Sequence, residues 1–149
     1  MLYSTTCEYA ISALTYLAVL SKQKVLVREI AEAEDLPHPF LSKIFRTLVR
    51  AGILSSTKGR HGGYALTMRP EEISMYDIRA AIDGIEDIEL CSAGKGTCFS
   101  NKLCPPNKEM QVLCRQIKAY LKGTTLADLA EAAKAKECPP DLVAFSKEA

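Results

Sequence analysis

Two short helical stretches, separated by a break and followed at once by a hairpin pattern, limit the folds open to this chain more than any other feature. Apolar spacing predicts one helix around residues 28–33 and a second over residues 38–51. Pro37 separates them, because proline lacks the backbone N–H that a helix interior needs. Gly52 ends the second helix, and the stretches on either side of a glycine-rich tip at residues 58–63 have the pattern of two strands. The sequence therefore predicts a helix-turn-helix followed by a hairpin wing.

The rest of the chain is mostly helical in pattern. An N-terminal amphipathic helix is predicted to end at the polar break of residues 21–24, and further helices are predicted over residues 74–82, 110–121 and 125–133. Residues 91–106 have no such periodicity and contain three cysteines. We expect a mostly α fold with a small β-hairpin wing, which is an α+β arrangement.

The charges of the chain are segregated, although the net charge is only +1. Between residues 37 and 69 there is no Asp or Glu, whereas residues 71–89 carry a single basic residue, Arg79. The basic residues of the acid-free segment are Lys43, Arg46, Arg50, Lys58, Arg60 and Arg69. A run of cations on a helix and a wing indicates binding to nucleic acid, the alternative being a face that is merely solvated.

The predicted DNA contacts lie on the polar face of the second helix of the motif and on the wing. They are His38, Ser42, Lys43, Arg46, Arg50, Lys58, Arg60 and His61. An α-helix fits the major groove, where Lys or Arg donates to guanine and Ser bonds several bases, while other cations neutralise phosphates. Arg60 or His61 in the wing is expected to enter the adjacent minor groove.

The N-terminal segment helps to predict the cellular compartment of the protein. Residues 1–20 are apolar but contain Glu8 and lack both a basic leader and a small-residue cleavage site, so neither export nor membrane spanning is expected. We place the protein in the cytoplasm. In that reducing compartment the six cysteines are considered first as metal ligands or redox groups and not as disulfides.

Cys91, Cys98 and Cys104 lie on one glycine-bearing stretch that can fold around a polynuclear iron centre. Thiolates suit iron-sulfur clusters and zinc, but zinc sites usually use C-x2-C or Cys/His pairs, and this chain has no C-x2-C. A cluster is therefore preferred over zinc, and over three incidental small residues. The other cysteines have simpler expected roles: buried core residues at Cys7 and Cys114, and a free tail thiol at Cys138.

Two runs are specific enough to compare with known proteins: LPHPFLSKIFRTLVRAGIL at residues 36–54 and KGRHGGYAL at residues 58–66. Shorter runs at residues 6–10, 78–84 and 125–129 extend the comparison over nearly all of the chain. Together they closely resemble the IscR and NsrR family of bacterial transcription regulators. The resemblance implies a homodimer on a near-palindromic operator in double-stranded DNA. It also implies that the long helix after the cysteines crosses its partner.

The resemblance further implies an iron-sulfur cluster, 2Fe-2S or 4Fe-4S, with Cys91, Cys98 and Cys104 as ligands. The first interval is one residue longer than is usual in the family, and Asn107 stands where the IscR branch has a ligand histidine. In the NsrR branch an acidic residue near the N-terminus of the partner subunit completes the site. Glu8 occupies that position here and is the expected fourth ligand.

We therefore expect a winged helix-turn-helix with a long C-terminal dimerisation helix. Residues 1–84 would form the DNA-binding domain, 85–106 the cysteine loop, 107–134 the dimerisation helix with a short helix after it, and 135–149 a tail. The expected function is transcriptional regulation, usually repression, in response to iron-sulfur, redox or nitric oxide status. Two alternatives remain: a cluster-free regulator controlled by a partner protein, a small ligand or thiol oxidation, and a redox protein or electron carrier. The sequence has no nucleotide-binding glycine-rich turn and no C-x-x-C pair, so we do not expect an enzyme.

Overall fold

A computed structural model of the chain describes residues 3–20, 24–84 and 107–135. Within those residues the elements are, in order, α1 (Thr5–Leu20), α2 (Val27–Ala33), α3 (His38–Arg50), β1 (Leu54–Thr57), β2 (Gly63–Leu66), α4 (Met75–Asp83), α5 (Asn107–Gly123) and α6 (Leu126–Ala135). A 3-10 turn, Pro70–Glu72, precedes α4. The predicted mostly helical fold with a hairpin wing is confirmed, and the predicted segment over residues 91–106 lies outside the described residues.

Helix α1 is the centre of the core, because it packs against α2, α3, α4 and α6. Its buried residues recur at the spacing of one helical face, and they are Cys7, Ala10, Ala13, Leu14, Leu17 and Ala18. Helix α3 contributes Leu41, Ile44, Phe45 and Leu48, which are buried as the sequence predicts. The burial of these four residues directs the opposite face of α3 to solvent.

The turn between α2 and α3 is tight. Asp35 adopts a left-handed backbone conformation with φ of 52°, which Asp tolerates better than most residues. The backbone N–H of Leu36 donates to the Ala31 carbonyl at 2.9 Å, so the last turn of α2 closes before the chain reverses. Pro37 caps α3 in an extended conformation and fits there because the first N–H groups of a helix have no partner within it.

Strands β1 and β2 pair antiparallel, with Leu54 opposite Leu66 and Thr57 opposite Gly63. Val25, in the segment before α2, forms an antiparallel bridge with Tyr64 and so extends the hairpin by a third short chain segment. At the base of the hairpin, the Thr67 N–H donates to the Ile53 carbonyl at 3.1 Å. The wing is thus bonded to the segment before α2, and its base is closed directly after α3.

Helix α5 is joined to the body at its C-terminal end. The Met75 N–H donates to the Thr124 carbonyl at 2.9 Å, the Leu126 N–H donates to the Ile73 carbonyl at 2.8 Å, and Leu121 is fully buried. Large apolar side chains of α5 are exposed along one side of the helix, and they are Val112 and Leu113 in its N-terminal half and Tyr120 in its last turn. Cys114 is partly exposed, so its predicted place in the protomer core is wrong.

Candidate nucleic-acid interface

The outer face of α3 presents the side chains predicted to contact DNA. His38, Lys43, Arg46 and Arg50 are exposed, and Ser42 is half-buried. The guanidinium Nε of Arg46 donates to the Ser42 carbonyl at 3.3 Å, one turn back along the helix. The Ser42, Lys43 and Arg46 positions form one continuous polar surface because residues three and four apart on a helix are neighbours.

The wing tip carries the remaining predicted contacts. Lys58, Arg60 and His61 are all exposed. Among the residues that the structure describes, the ion pairs are Arg28–Glu32 and Arg69–Glu72, and neither involves α3 or the tip. Hydrogen bonding to Glu72 raises the pKa of Arg69. Arg69 thus belongs to the basic segment but has an acidic partner of its own.

Two aromatic side chains fix the wing relative to α3. The rings of Phe45 and Tyr64 meet edge to face, with centroids 5.1 Å apart and an interplanar angle of 73°. This geometry is favourable for aromatic pairs and adds to the burial of their surfaces. The same residue, Tyr64, bridges to Val25 through its backbone. The role of Tyr64 was missed at the sequence level, where it was only a strand residue.

Helix α1 makes a second aromatic contact with α3. Tyr9 and Phe40 are perpendicular, with ring centroids 5.6 Å apart. One turn further along α1, the Ser12 hydroxyl donates to the carboxylate of Glu34, which lies where α2 ends. These two contacts hold both sides of the helix-turn-helix turn against α1, and the apolar spacing of α1 gave no signal for them.

The predicted metal ligands are only partly described. Cys91, Cys98 and Cys104 lie outside the described residues. Among the residues that are described, no group of three His, Cys, Asp or Glu side chains could hold a metal ion. Glu8 is exposed on the first turn of α1. Its neighbour Cys7 is fully buried, and that burial raises the pKa of the thiol to about 12, with Asp83 adding to the effect. Cys7 is a buried core residue, as predicted.

Hydrogen bonds join the start of α1 to the end of α4. Ser4, just before α1, donates a backbone N–H to the carboxylate of Asp83 at 2.8 Å, and its hydroxyl donates to the other carboxylate oxygen. Asp83 is the last residue of α4, and Gly84 follows it before the undescribed residues 85–106. One turn of α1 separates Ser4 from Glu8 within the protomer. Because the expected ligand is Glu8 of the partner subunit, the observation compatible with a ligand role is that this carboxylate is exposed.

No helix among residues 3–20, 24–84 and 107–135 has the length and apolar content needed to cross a membrane.

A tight helical turn, an exposed basic helix and a basic wing define a winged helix-turn-helix DNA-binding protein. Residues 3–132 match the Rrf2 family, described as an iron-dependent transcriptional regulator. The chain therefore belongs to the Rrf2 family of transcriptional regulators. Proteins of this family regulate transcription and are not enzymes.

Two curated relatives and one solved structure illustrate the similarity. A helix-turn-helix-type transcriptional regulator of Aquifex aeolicus is 35% identical over 131 residues, which cover 87% of this chain and 91% of the relative. The regulator IscR of Vibrio cholerae is 32% identical over 123 residues, covering 82% of this chain and 70% of IscR. The structure of CymR, the global cysteine regulator of B. subtilis, aligns with a TM-score of 0.72 and 25% identity, covering 86% of this chain and 95% of CymR.

Proposed function

We propose that this protein is a homodimeric transcriptional repressor whose affinity for a near-palindromic operator depends on an iron-sulfur cluster. The observation that carries the DNA-binding part is the exposed, acid-free surface formed by α3 and the wing tip. In this arrangement Ser42, Lys43 and Arg46 contact base edges in the major groove. His38 and Arg50 hold the helix on the phosphates, while Lys58, Arg60 and His61 bind in and beside the minor groove.

A homodimer is supported by the apolar side chains that α5 leaves in solvent. Val112 and Leu113 are 44% and 45% exposed, and Tyr120 is 60% exposed, although large apolar groups on one helix are normally covered. A second copy crossing at α5 would cover them. The two α3 helices would then face successive major grooves, which requires an operator with two half-sites.

The cluster is supported by the sequence of residues 91–104 and by the exposure of Glu8. The thiolates of Cys91, Cys98 and Cys104 would hold the iron, and the Glu8 carboxylate of the partner subunit would complete the site. When bound, such a cluster supplies an iron that exchanges its non-thiolate ligand more readily than its thiolates. These residues join α4 to α5 in the sequence, so a cluster bound there would be linked to both the DNA-binding unit and the dimer helix.

Sensing requires the two states of the protein to bind DNA differently, because an effector shifts an equilibrium only through differential affinity. The test begins with a duplex that the protein selects from a randomised pool. Anaerobically prepared holo protein and its chelator-treated apo form are titrated against that duplex. We expect dissociation constants that differ by about fivefold or more. Equal constants would contradict sensing, and a lack of binding to any duplex would contradict DNA recognition.

Single cysteine variants sharpen the assignment of the ligands. Cys98→Ser should lose the visible absorption and the acid-labile sulfide of anaerobically prepared protein and should bind the duplex like the apo form. Cys114→Ser is the matched control, since Cys114 lies on α5 and is not assigned as a ligand. It should keep both signals. A Cys98→Ser variant that retains the cluster would remove that residue from the ligand set.

The second candidate is a cluster-free regulator of the same family, controlled by a partner protein, a small ligand or thiol oxidation. Its support is the structural similarity to CymR over 86% of this chain, together with Asn107 at the position where the IscR branch has a ligand histidine. A colourless protein after anaerobic purification, with normal DNA affinity, would favour this candidate over the first.

A further inference from the structure

Lys24 belongs to the polar break between α1 and α2, to which the proposed function assigns no role. The residue after it, Val25, is bonded to the wing in both directions. The Val25 N–H donates to the Tyr64 carbonyl at 2.9 Å, and the Tyr64 N–H donates to the Val25 carbonyl at 2.8 Å. Lys24 is thereby fixed beside β2, although it precedes the start of the wing at Leu54 by thirty positions in the chain.

Gly63 shows how close this approach is. It has a φ of +145°, and a Cβ placed on it would lie 2.9 Å from the Val25 carbonyl oxygen and 3.4 Å from the Cβ of Lys24. Gly63 is the first residue of β2, so it marks the point where the chain returns from the wing tip. The stem of Lys24 therefore lies next to the tip that carries Lys58, Arg60 and His61.

The Lys24 side chain is exposed, and neither of the ion pairs among the described residues includes it. A flexible four-carbon stem lets its ammonium group reach several ångströms from the backbone, as a point charge suited to phosphate. Beside three basic side chains of the tip, it adds a fourth to the same edge of the molecule. A phosphate backbone is the ligand whose charge matches such an edge.

We propose that Lys24 is a further DNA-contacting residue, which binds a backbone phosphate on the flank of the wing. The inference rests on the proposed placement of the wing against DNA. It makes the residue directly before the Val25 bridge a part of the interface, so that the edge of the wing presents cations from two separate parts of the chain. Because the contact is with phosphate, it strengthens binding without selecting a sequence.

The test compares Lys24→Gln with Lys134→Gln, which removes an equal charge from an exposed position on α6. Each full-length variant is titrated with a mixed-sequence duplex and with the duplex selected by wild type, at several salt concentrations. For Lys24→Gln we expect about threefold to tenfold weaker binding to both duplexes. Because each protomer of the dimer loses one phosphate contact, the slope of log K against log salt should be smaller by about 1.8. Lys134→Gln should match wild type, and Lys24→Arg should restore the slope.

Two outcomes would overturn the inference about Lys24 and leave the proposed interface intact. In the first, Lys24→Gln behaves like Lys134→Gln; in the second, Lys24→Gln binds more weakly but its salt slope is unchanged. The second would mean that the substitution disturbs the wing and removes no phosphate contact. Wild-type protein that binds neither duplex would instead overturn the proposed interface, and the assignment of Lys24 with it. Thermal unfolding of each variant shows whether it is folded at the temperature of the titration.

Discussion

A side chain on Gly62 would collide with the backbone of the wing tip. A Cβ at this position would lie 2.2 Å from the Thr57 carbonyl oxygen and 2.9 Å from that of Gly59. The Gly62 N–H donates to the same Gly59 carbonyl at 2.9 Å, so the tip cannot open without losing a hydrogen bond. Three basic side chains depend on this turn for their positions, which makes Gly62 a structural requirement of the proposed DNA surface.

We expect Gly62→Ala to lower the free energy of unfolding by about 1–3 kcal/mol, because the tip must shift to admit the methyl group. It should also weaken binding to the selected duplex, since Arg60 and His61 move with the tip. Gly123→Ala is the control: it ends α5, nothing lies within 4 Å of its added Cβ, and alanine favours helix. Urea unfolding and duplex titration measure both effects. Equal stability of the two variants would contradict the steric argument.

At the scale of single residues, the sequence predicts which side chains face solvent better than it predicts their contacts. The exposure of Lys43, Arg46 and Arg60 follows from the helical period and from the glycine-rich tip. The pairing of Tyr64 with Phe45 does not, because it joins residues from a strand and a helix whose relative placement is set by tertiary packing. Cys114 was misplaced for a related reason. An apolar stripe predicts that one face of a helix is buried, but it does not tell whether that face packs against the same protomer or against another chain.

The elements of the DNA-binding unit are coupled through α1. Tyr9 contacts Phe40 in the first turn of α3, and Ser12 bonds to Glu34 at the end of α2. The aromatic pair therefore holds the N-terminal end of α3. In helix-turn-helix proteins, the N-terminal residues of this helix contact the base edges. A change in the tilt of α1 relative to α3 would move Ser42 and Lys43 with it.

We expect Tyr9→Leu to cost about 1–3 kcal/mol of stability and to reduce the preference for the selected duplex over a mixed-sequence one. An edge-to-face pair is worth about 0.5–1.5 kcal/mol beyond the burial of its area, and without it the first turn of α3 is held less firmly. Tyr9→Phe keeps the ring and should behave like wild type. The ratio of the two dissociation constants is the readout. An unchanged ratio in a folded Tyr9→Leu variant would show that this contact stabilises the fold without positioning α3.

The order and type of the elements were predictable, because each has a strong local signal. The helices of the motif were placed within one or two residues by apolar period, by Pro37 and by Gly52. The bridge from Val25 to Tyr64 was not predictable, since a single bridge carries no periodic pattern. That bridge brings Lys24 to the wing. The proposed contact of Lys24 could therefore not be predicted from local sequence patterns, because it depends on pairing between distant segments.

The whole molecule depends on α5, which is anchored at one end and uncovered along one side. Leu121 is buried, and Tyr76 of α4 lies under the ammonium groups of Lys118 and Lys122, at 5.8 and 4.9 Å from its ring centroid. These contacts hold the C-terminal half of the helix on the protomer. Leu113, in the N-terminal half, is left 45% exposed on the side that we assign to the second copy.

A carboxylate at Leu113 would have to be buried in the assembled dimer but would stay in water on the monomer. We therefore expect Leu113→Glu to raise the dimer dissociation constant at least tenfold, which corresponds to about 1.4 kcal/mol. Gln111→Glu adds the same charge two residues away, on the opposite side of the helix, and should remain dimeric. Sedimentation equilibrium measures both constants. Binding to the selected duplex should weaken only for Leu113→Glu, because two half-sites require two linked copies of α3. A Leu113→Glu variant that remains as dimeric as Gln111→Glu would place the interface on another surface.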